Sequence, residues 1–155
     1  NLVMKPLLND KAKLVASTEY IKNNPDIKRP EDLKEHECLT FHRLRQHTFW
    51  HFKKGKEQQK IRIQPTLSSC GGEPLIHWAK EGHGVTLMSK WIIAEELTSG
   101  QLVELLPDWN ASLTEADASS VYMTWTIAGA QRPAVRAMID FLSDHYRSFL
   151  TDVAS

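Results

Sequence analysis

Ser68, Ser69 and Cys70 place two hydroxyls and a thiol just ahead of Gly71-Gly72 and Pro74, inside the stretch QPTLSSCGGEPLIHWAKEGHGVTLMSKW that spans residues 64–91. Proline is tolerated in the first turn of a helix, where its missing N–H is not needed, so a helix begins close to residues 70–72. The first turn of a helix offers unpaired N–H groups and a partial positive charge. Hydroxyls beside it make a place for a small anion or carboxylate. The plainer alternative is that the serines are ordinary N-caps. A free Cys70 at a helix start could have a lowered pKa and sense oxidants. A small buried or capping side chain is the simpler reading of it.

Other chemistry is set aside on spacing. His47 and His51 are four apart, as metal ligands on one helix face are, but Phe49-Trp50-His51-Phe52 reads as a strand, where such residues lie about 13 Å apart. His36-Glu37-Cys38 lacks the Pro-Cys-x-x-Cys half of a zinc deaminase. No G-x-S-x-G elbow supports a serine hydrolase. Gly82-His83-Gly84 follows a helix instead of a strand, so it is not a dinucleotide loop. No metal and no cofactor is expected.

The elements that must position these residues follow from periodicity. A strand carrying Ile61 and Ile63 ends near Thr66, and residues 68–72 form a loop. Leu75, Trp78 and Ala79 share one face of the helix that follows. Gly82 stops that helix and Gly84 turns the chain into Val85-Thr86-Leu87-Met88. Upstream, Leu2-Val3-Met4 and Leu14-Val15-Ala16 suggest strands joined by a turn at Asn9-Asp10-Lys11. Ser17-Thr18 cap a short helix closed by Asn23-Asn24-Pro25, and Pro30 opens another. Cys38-Leu39-Thr40-Phe41 is a buried strand, and 49–53 and 58–64 are the arms of a hairpin around Gly55. Downstream, 91–97 is helical, 102–106 is a strand, 108–119 is a polar loop and 121–127 is a strand. A last helix opens at Pro133 with Val135, Met138, Ile139, Leu142, Tyr146 and Phe149 in one stripe. Alternating strands and helices give the α/β class.

The 155 residues carry 19 basic and 19 acidic side chains, a balance that argues against this segment itself gripping nucleic acid. Cys38 and Cys70 form neither a disulfide framework nor a metal pattern, which fits a reducing, cytoplasmic setting. No apolar run approaches the ~20 residues of a membrane helix, so no membrane partner is expected.

Taken in order, the residues resemble a family. Leu14-Val15-Ala16-Ser17, Tyr20-Ile21, Pro30-Glu31-Asp32-Leu33, His36 and Cys38-Leu39 carry the first part. Trp50-His51-Phe52, Glu81-Gly82-His83-Gly84-Val85, Gly100-Gln101-Leu102-Val103, Leu105-Leu106-Pro107-Asp108-Trp109 and residues 135–142 carry the rest. The set is similar to the effector-binding domain of LysR-type transcriptional regulators. The resemblance implies an α/β fold like the type 2 periplasmic binding proteins, two lobes joined by crossing strands, with a small molecule held between them. It assigns residues 1–16 to the end of the first lobe and the first crossing, 17–107 to the second lobe and the return crossing, and 108–155 to the first lobe again. That first lobe is expected to be incomplete here, with an apolar face of residues 121–150 either packed by another chain or a solubility problem. The resemblance puts Ser68, Ser69 and Cys70 at the effector, with Phe41, His42 and Arg43 from the loop after the preceding strand. It implies a small-molecule effector, which the helix-start chemistry makes an anion, DNA contact only through a winged helix-turn-helix outside this chain, a homo-oligomer and no enzymatic activity. Where relatives often place a proline, this chain has Ser89-Lys90-Trp91, and Trp91 is expected to pack in the core. The competing expectation is a periplasmic-type solute-binding protein that delivers a ligand to a transporter.

Overall fold

Neighbouring residues on the central strands point to opposite sides, and both sides are filled. The computed structural model describes residues 1–42, 47–115 and 119–147. Along the chain it places β1 (Leu2–Asp10), β2 (Ala12–Ala16), α1 (Thr18–Asn23), a 3-10 turn (Pro30–Glu35), β3 (Cys38–Phe41), β4 (Thr48–Lys54), β5 (Glu57–Ile63), β6 (Pro65–Ser69), α2 (Gly72–Lys80) and β7 (Val85–Ser89). Then come α3 (Ala94–Ser99), β8 (Val103–Leu105), β9 (Asn110–Ser112), β10 (Ser119–Thr126), a second 3-10 turn (Gly129–Gln131) and α4 (Pro133–His145). By contacts the chain divides into two compact units, residues 11–117 and residues 1–10 with 118–155.

The larger unit is built on a mixed sheet of order β5-β4-β9-β2-β7-β3-β6, with β8 also paired to β2. β3 runs parallel to both β6 and β7, and β2 runs antiparallel to β7. Strands of that kind are buried on both faces and read as continuous apolar runs. The side-chain partition shows it. Leu14, Cys38 and Leu87 enter one core cluster with Trp50, Phe52, Ile61 and Ile63. Their neighbours Val15, Leu39 and Met88 enter the other, with Leu75, Ile76 and Ala79 of α2.

Local signals set the ends. Ser17 caps α1, its hydroxyl accepting from the Tyr20 N–H at 3.2 Å. Gly82, with φ +79°, takes the left-handed turn after α2. At Gly84 any Cβ would overlap the Glu37 carbonyl oxygen, which accepts the Val85 N–H at 2.8 Å. Glycine is therefore needed there for close approach.

The smaller unit pairs β1 with β10 antiparallel, from Leu2↔Thr126 to Asp10↔Ser119, with an irregularity between Pro6 and Leu8. Proline cannot donate to the ladder, which fits its place at the break. Asn9 and Asp10 are thus strand residues, and the expected turn at 9–11 does not form. On α4, Val135, Ile139, Leu142 and Tyr146 are half-buried, while Met138 and Phe141 are 56% and 63% exposed. Phe149 lies outside the described residues.

Two more expectations are corrected. The stretch 108–119 holds a strand: β9 is recruited by β4, with Phe52 facing Ala111. Trp91 is 51% exposed, because the helix there begins only at Ala94 and Ile93 takes the buried position.

Candidate functional site

The polar residues 68–70 sit at the carboxyl end of parallel strands. Ligand sites in open α/β sheets favour that edge. The sequence suggests a loop after Thr66, but β6 runs from Pro65 to Ser69, because its backbone pairs with β3 as Leu39↔Leu67, Thr40↔Ser68 and Phe41↔Ser69. The ladder is extended by the His42 N–H, which donates to the Ser69 carbonyl at 2.8 Å. Phe41, His42, Ser68, Ser69 and Cys70 are therefore brought to one edge of one unit. Arg43 lies outside the described residues.

The serines do not cap α2. Its N-cap is Gly71, which supplies no side-chain hydrogen bond. Ser69 Oγ instead accepts the Gly71 N–H at 3.2 Å, a local turn bond. The first turn is left without a side-chain cap, though Glu73 in that turn opposes an incoming negative charge. Gly72 is closely hemmed: a Cβ there would meet Met88 Sδ at 3.6 Å and the Phe41 ring at 3.7 Å. Ser68 Oγ lies 3.5 Å from His42 Nδ1, at the outer limit of a hydrogen bond.

Cys70 is exposed, so of the readings offered for it, sensing thiol, buried residue or capping residue, the buried one does not hold. Cys38 is the buried one, and burial pushes its thiol up to about 12, with the Glu37 carboxylate adding to the effect.

One hollow adjoins this end of the sheet, and a second lies over other strands of the same unit. The first, of about 290 Å³, adjoins the expected residues Phe41, His42 and Ser68 and adds His47 and Arg62. Sequence reasoning did not find the last two. They lie 15 positions apart, and the Arg62 guanidinium reaches His47 Nδ1 at 3.0 Å. The antiparallel register of β4 and β5, with Thr48 facing Ile63, brings them together. The other hollow, about 560 Å³, lies over β4, β5 and β9 and is lined by His51, Lys60, Asn110 and Glu115 among others. No cluster of three or more metal-ligating side chains occurs among the described residues. Among them, too, no helix is long and apolar enough to cross a membrane.

An α/β sheet with a polar carboxyl edge is what the geometry describes, and the comparisons assign that sheet to a family. Residues 1–147 match the family described as LysR substrate binding domain. The transcriptional activator TtdR of Escherichia coli K12 is 30% identical over 138 residues, covering 88% of this chain and 43% of the relative. The full-length structure of AphB, a Vibrio cholerae virulence activator of the LTTR family, superposes with a TM-score of 0.81 at 25% identity, covering 94% of this chain and 48% of that one. The regulatory domain of Vibrio vulnificus AphB gives 0.77 at 28% identity, covering 93% and 68% respectively. The chain belongs to the LysR substrate-binding domain family and has its periplasmic-binding-protein-like fold. It spans less than half the length of the curated relative TtdR. The transporter-associated reading is not favoured, since the curated relatives are transcriptional regulators.

Proposed function

We propose that this chain is the effector-sensing part of a LysR-type regulator that binds a small anion at the carboxyl end of β3 and β6 and alters DNA binding through a separate N-terminal winged helix-turn-helix. The observation that carries the reading is the gathering of Ser68, Ser69, Cys70, Phe41 and His42 on one strand edge beside an uncapped helix start. Hydroxyl and N–H donors there suit a carboxylate. The domain binds and does not turn its ligand over. It acts within a homo-oligomer, and the effector shifts an equilibrium between two arrangements of that oligomer. A tenfold change in DNA occupancy needs only about 1.4 kcal/mol of differential effector binding.

Thermal unfolding of the intact regulator against small carboxylates and aromatic acids tests this. A ligand bound only by the folded state raises the midpoint by mass action. One compound class should raise it, and the rise should be lost in Ser69→Ala. The comparison is of ligand-induced shifts, because losing the bond to the Gly71 N–H itself costs about 1 kcal/mol. An equal rise in Ser69→Ala would remove the site from this edge.

A further inference from the structure

We infer that the hollow of about 290 Å³ between the end of β3, the start of β4 and the closing ends of β5 and β6 seats the carboxylate of a small organic acid, with Arg62 as its anchor. This rests on the effector-sensing reading and names the chemistry of the ligand within it. Three observations carry it.

The first is charge. Arg62, His42 and His47 line the hollow, and among the described residues no aspartate or glutamate does. The larger hollow over β9 also offers a cation, but Lys60 there is already held by Glu115 at 2.9 Å. An incoming anion would have to displace that carboxylate. At Arg62 no carboxylate is in place among the described residues, and the side chain projects from the face of β5 opposite Ile61 and Ile63.

The second is hydrogen-bonding logic. An arginine can only donate, and Arg62 Nη2 lies 3.0 Å from Nδ1 and 3.4 Å from Nε2 of His47, so it is shared between two ring nitrogens instead of being aimed at one lone pair. An imidazole met in that way is a modest partner for a guanidinium. A carboxylate accepts two parallel N–H bonds from the same fork, which are shorter and stronger. Ser68 Oγ and the His42 ring stand at the same hollow, 3.5 Å apart, to meet the ligand's remaining polar atoms.

The third is size and position. At about 290 Å³ the volume lies just below the usual range of ligand sites, roughly 300–1,000 Å³, so the hollow suits only a small metabolite. It shares Phe41, His42 and Ser68 with the strand edge described above, so one ligand can touch both. Because Arg62 is exposed, solvent screening limits its contribution, and the effect should be sought at low salt.

The test uses the intact regulator, wild type and with Arg62→Gln, Arg62→Lys or Ser69→Ala. Thermal shift and calorimetry are run with mono- and dicarboxylic acids of two to six carbons and with their neutral amides. Wild type should bind at least one acid and not its amide. Arg62→Gln should weaken that acid about tenfold or more, and Arg62→Lys, which keeps the charge and loses the fork, should fall between. Ligand-free midpoints of both variants close to wild type show that they fold. Undiminished acid binding in Arg62→Gln with loss in Ser69→Ala would overturn the anchor and leave the sensing edge standing. Binding of neutral amides as tight as the acids would overturn the carboxylate. A wild type that binds no compound of either set would overturn the site itself.

Discussion

Cys38 and Cys70 carry the same thiol in opposite settings. Cys38 is 1% exposed, and its Sγ lies 3.6 Å from the Leu33 carbonyl and 3.5 Å from that of His36, to which it can donate. With its pKa pushed up to about 12, roughly one thiol in 10⁴ is ionised at pH 8, and the thiolate is the nucleophile. Cys70 stands exposed at the strand edge. Iodoacetamide at pH 8 should therefore add one label to the folded 155-residue chain, at Cys70, and a second only in denaturant. Mass spectrometry reads this directly, and equal early labelling of both would contradict the burial assigned to Cys38. The sequence sets Cys38 in a strand expected to be buried but leaves Cys70 between a reactive thiol and a small buried or capping one, and only the fold shows it exposed. Arg62 and His47 pose the same difficulty. Alternation along β5 says that Arg62 points away from Ile61 and Ile63, but only the strand register says what it meets.

At the scale of elements, the segment between α1 and β3 is fastened by one polar relay. The Tyr20 hydroxyl accepts the Glu37 N–H at 3.0 Å and lies 3.0 Å from His36 Nδ1. Having accepted from the backbone, it can donate to His36 only while that ring nitrogen is bare. Burial lowers the His36 pKa despite the nearby Asp32 and Glu35, and burial together with Lys60 lowers that of His51 despite Glu115. Folded pKa values below the unfolded 6.5 mean that the unfolded chain binds more protons as pH falls through that value. Stability from these groups is complete above about pH 7 and falls as pH drops below 6.5, until the folded rings protonate. Urea unfolding should give a lower midpoint at pH 5.5 than at pH 7.5. His36→Asn, which does not titrate, should shrink that difference, and His36→Asn with His51→Asn should remove most of it. An unchanged difference in the double variant would assign the pH dependence elsewhere. Elements with a local signature were legible: the Ser17 cap, Pro30 opening its turn, the hairpin at Gly55 and the stop at Gly82. β9 was not. Three residues in a polar stretch carry no periodicity, and only pairing with β4 and β2 makes them a strand. The division between β5 and β6 was missed for the same reason, since partners on β3 define where β6 runs.

For the molecule as a whole, the apolar side chains are unevenly spent. Both core clusters fall within residues 11–117, on the two faces of one sheet. α4, in the other unit, contributes no buried side chain, and Tyr122, Ile127, Met138 and Phe141 stay 49–63% exposed. Periodicity marked α4 as amphipathic, but nothing local in Leu2–Asp10 or Ser119–Thr126 announces that they pair across more than a hundred residues. Uneven burial predicts uneven stability, because segments with few buried apolar contacts open at low free energy. In the 155-residue chain, amides of α4 should exchange with solvent well before those of β2, β3 and β7. Truncations should divide the same way. Leu75→Ala empties a site that is 0% exposed in the sheet's second cluster and should cost about 2–5 kcal/mol in urea unfolding. Met138→Ala removes a side chain that is 56% exposed and should cost within about 0.5 kcal/mol. If α4 amides were as protected as those of β7, or Met138→Ala as costly as Leu75→Ala, the helix would be held by contacts that this burial pattern does not contain. The exposed apolar face of the smaller unit would then have to be covered in solution.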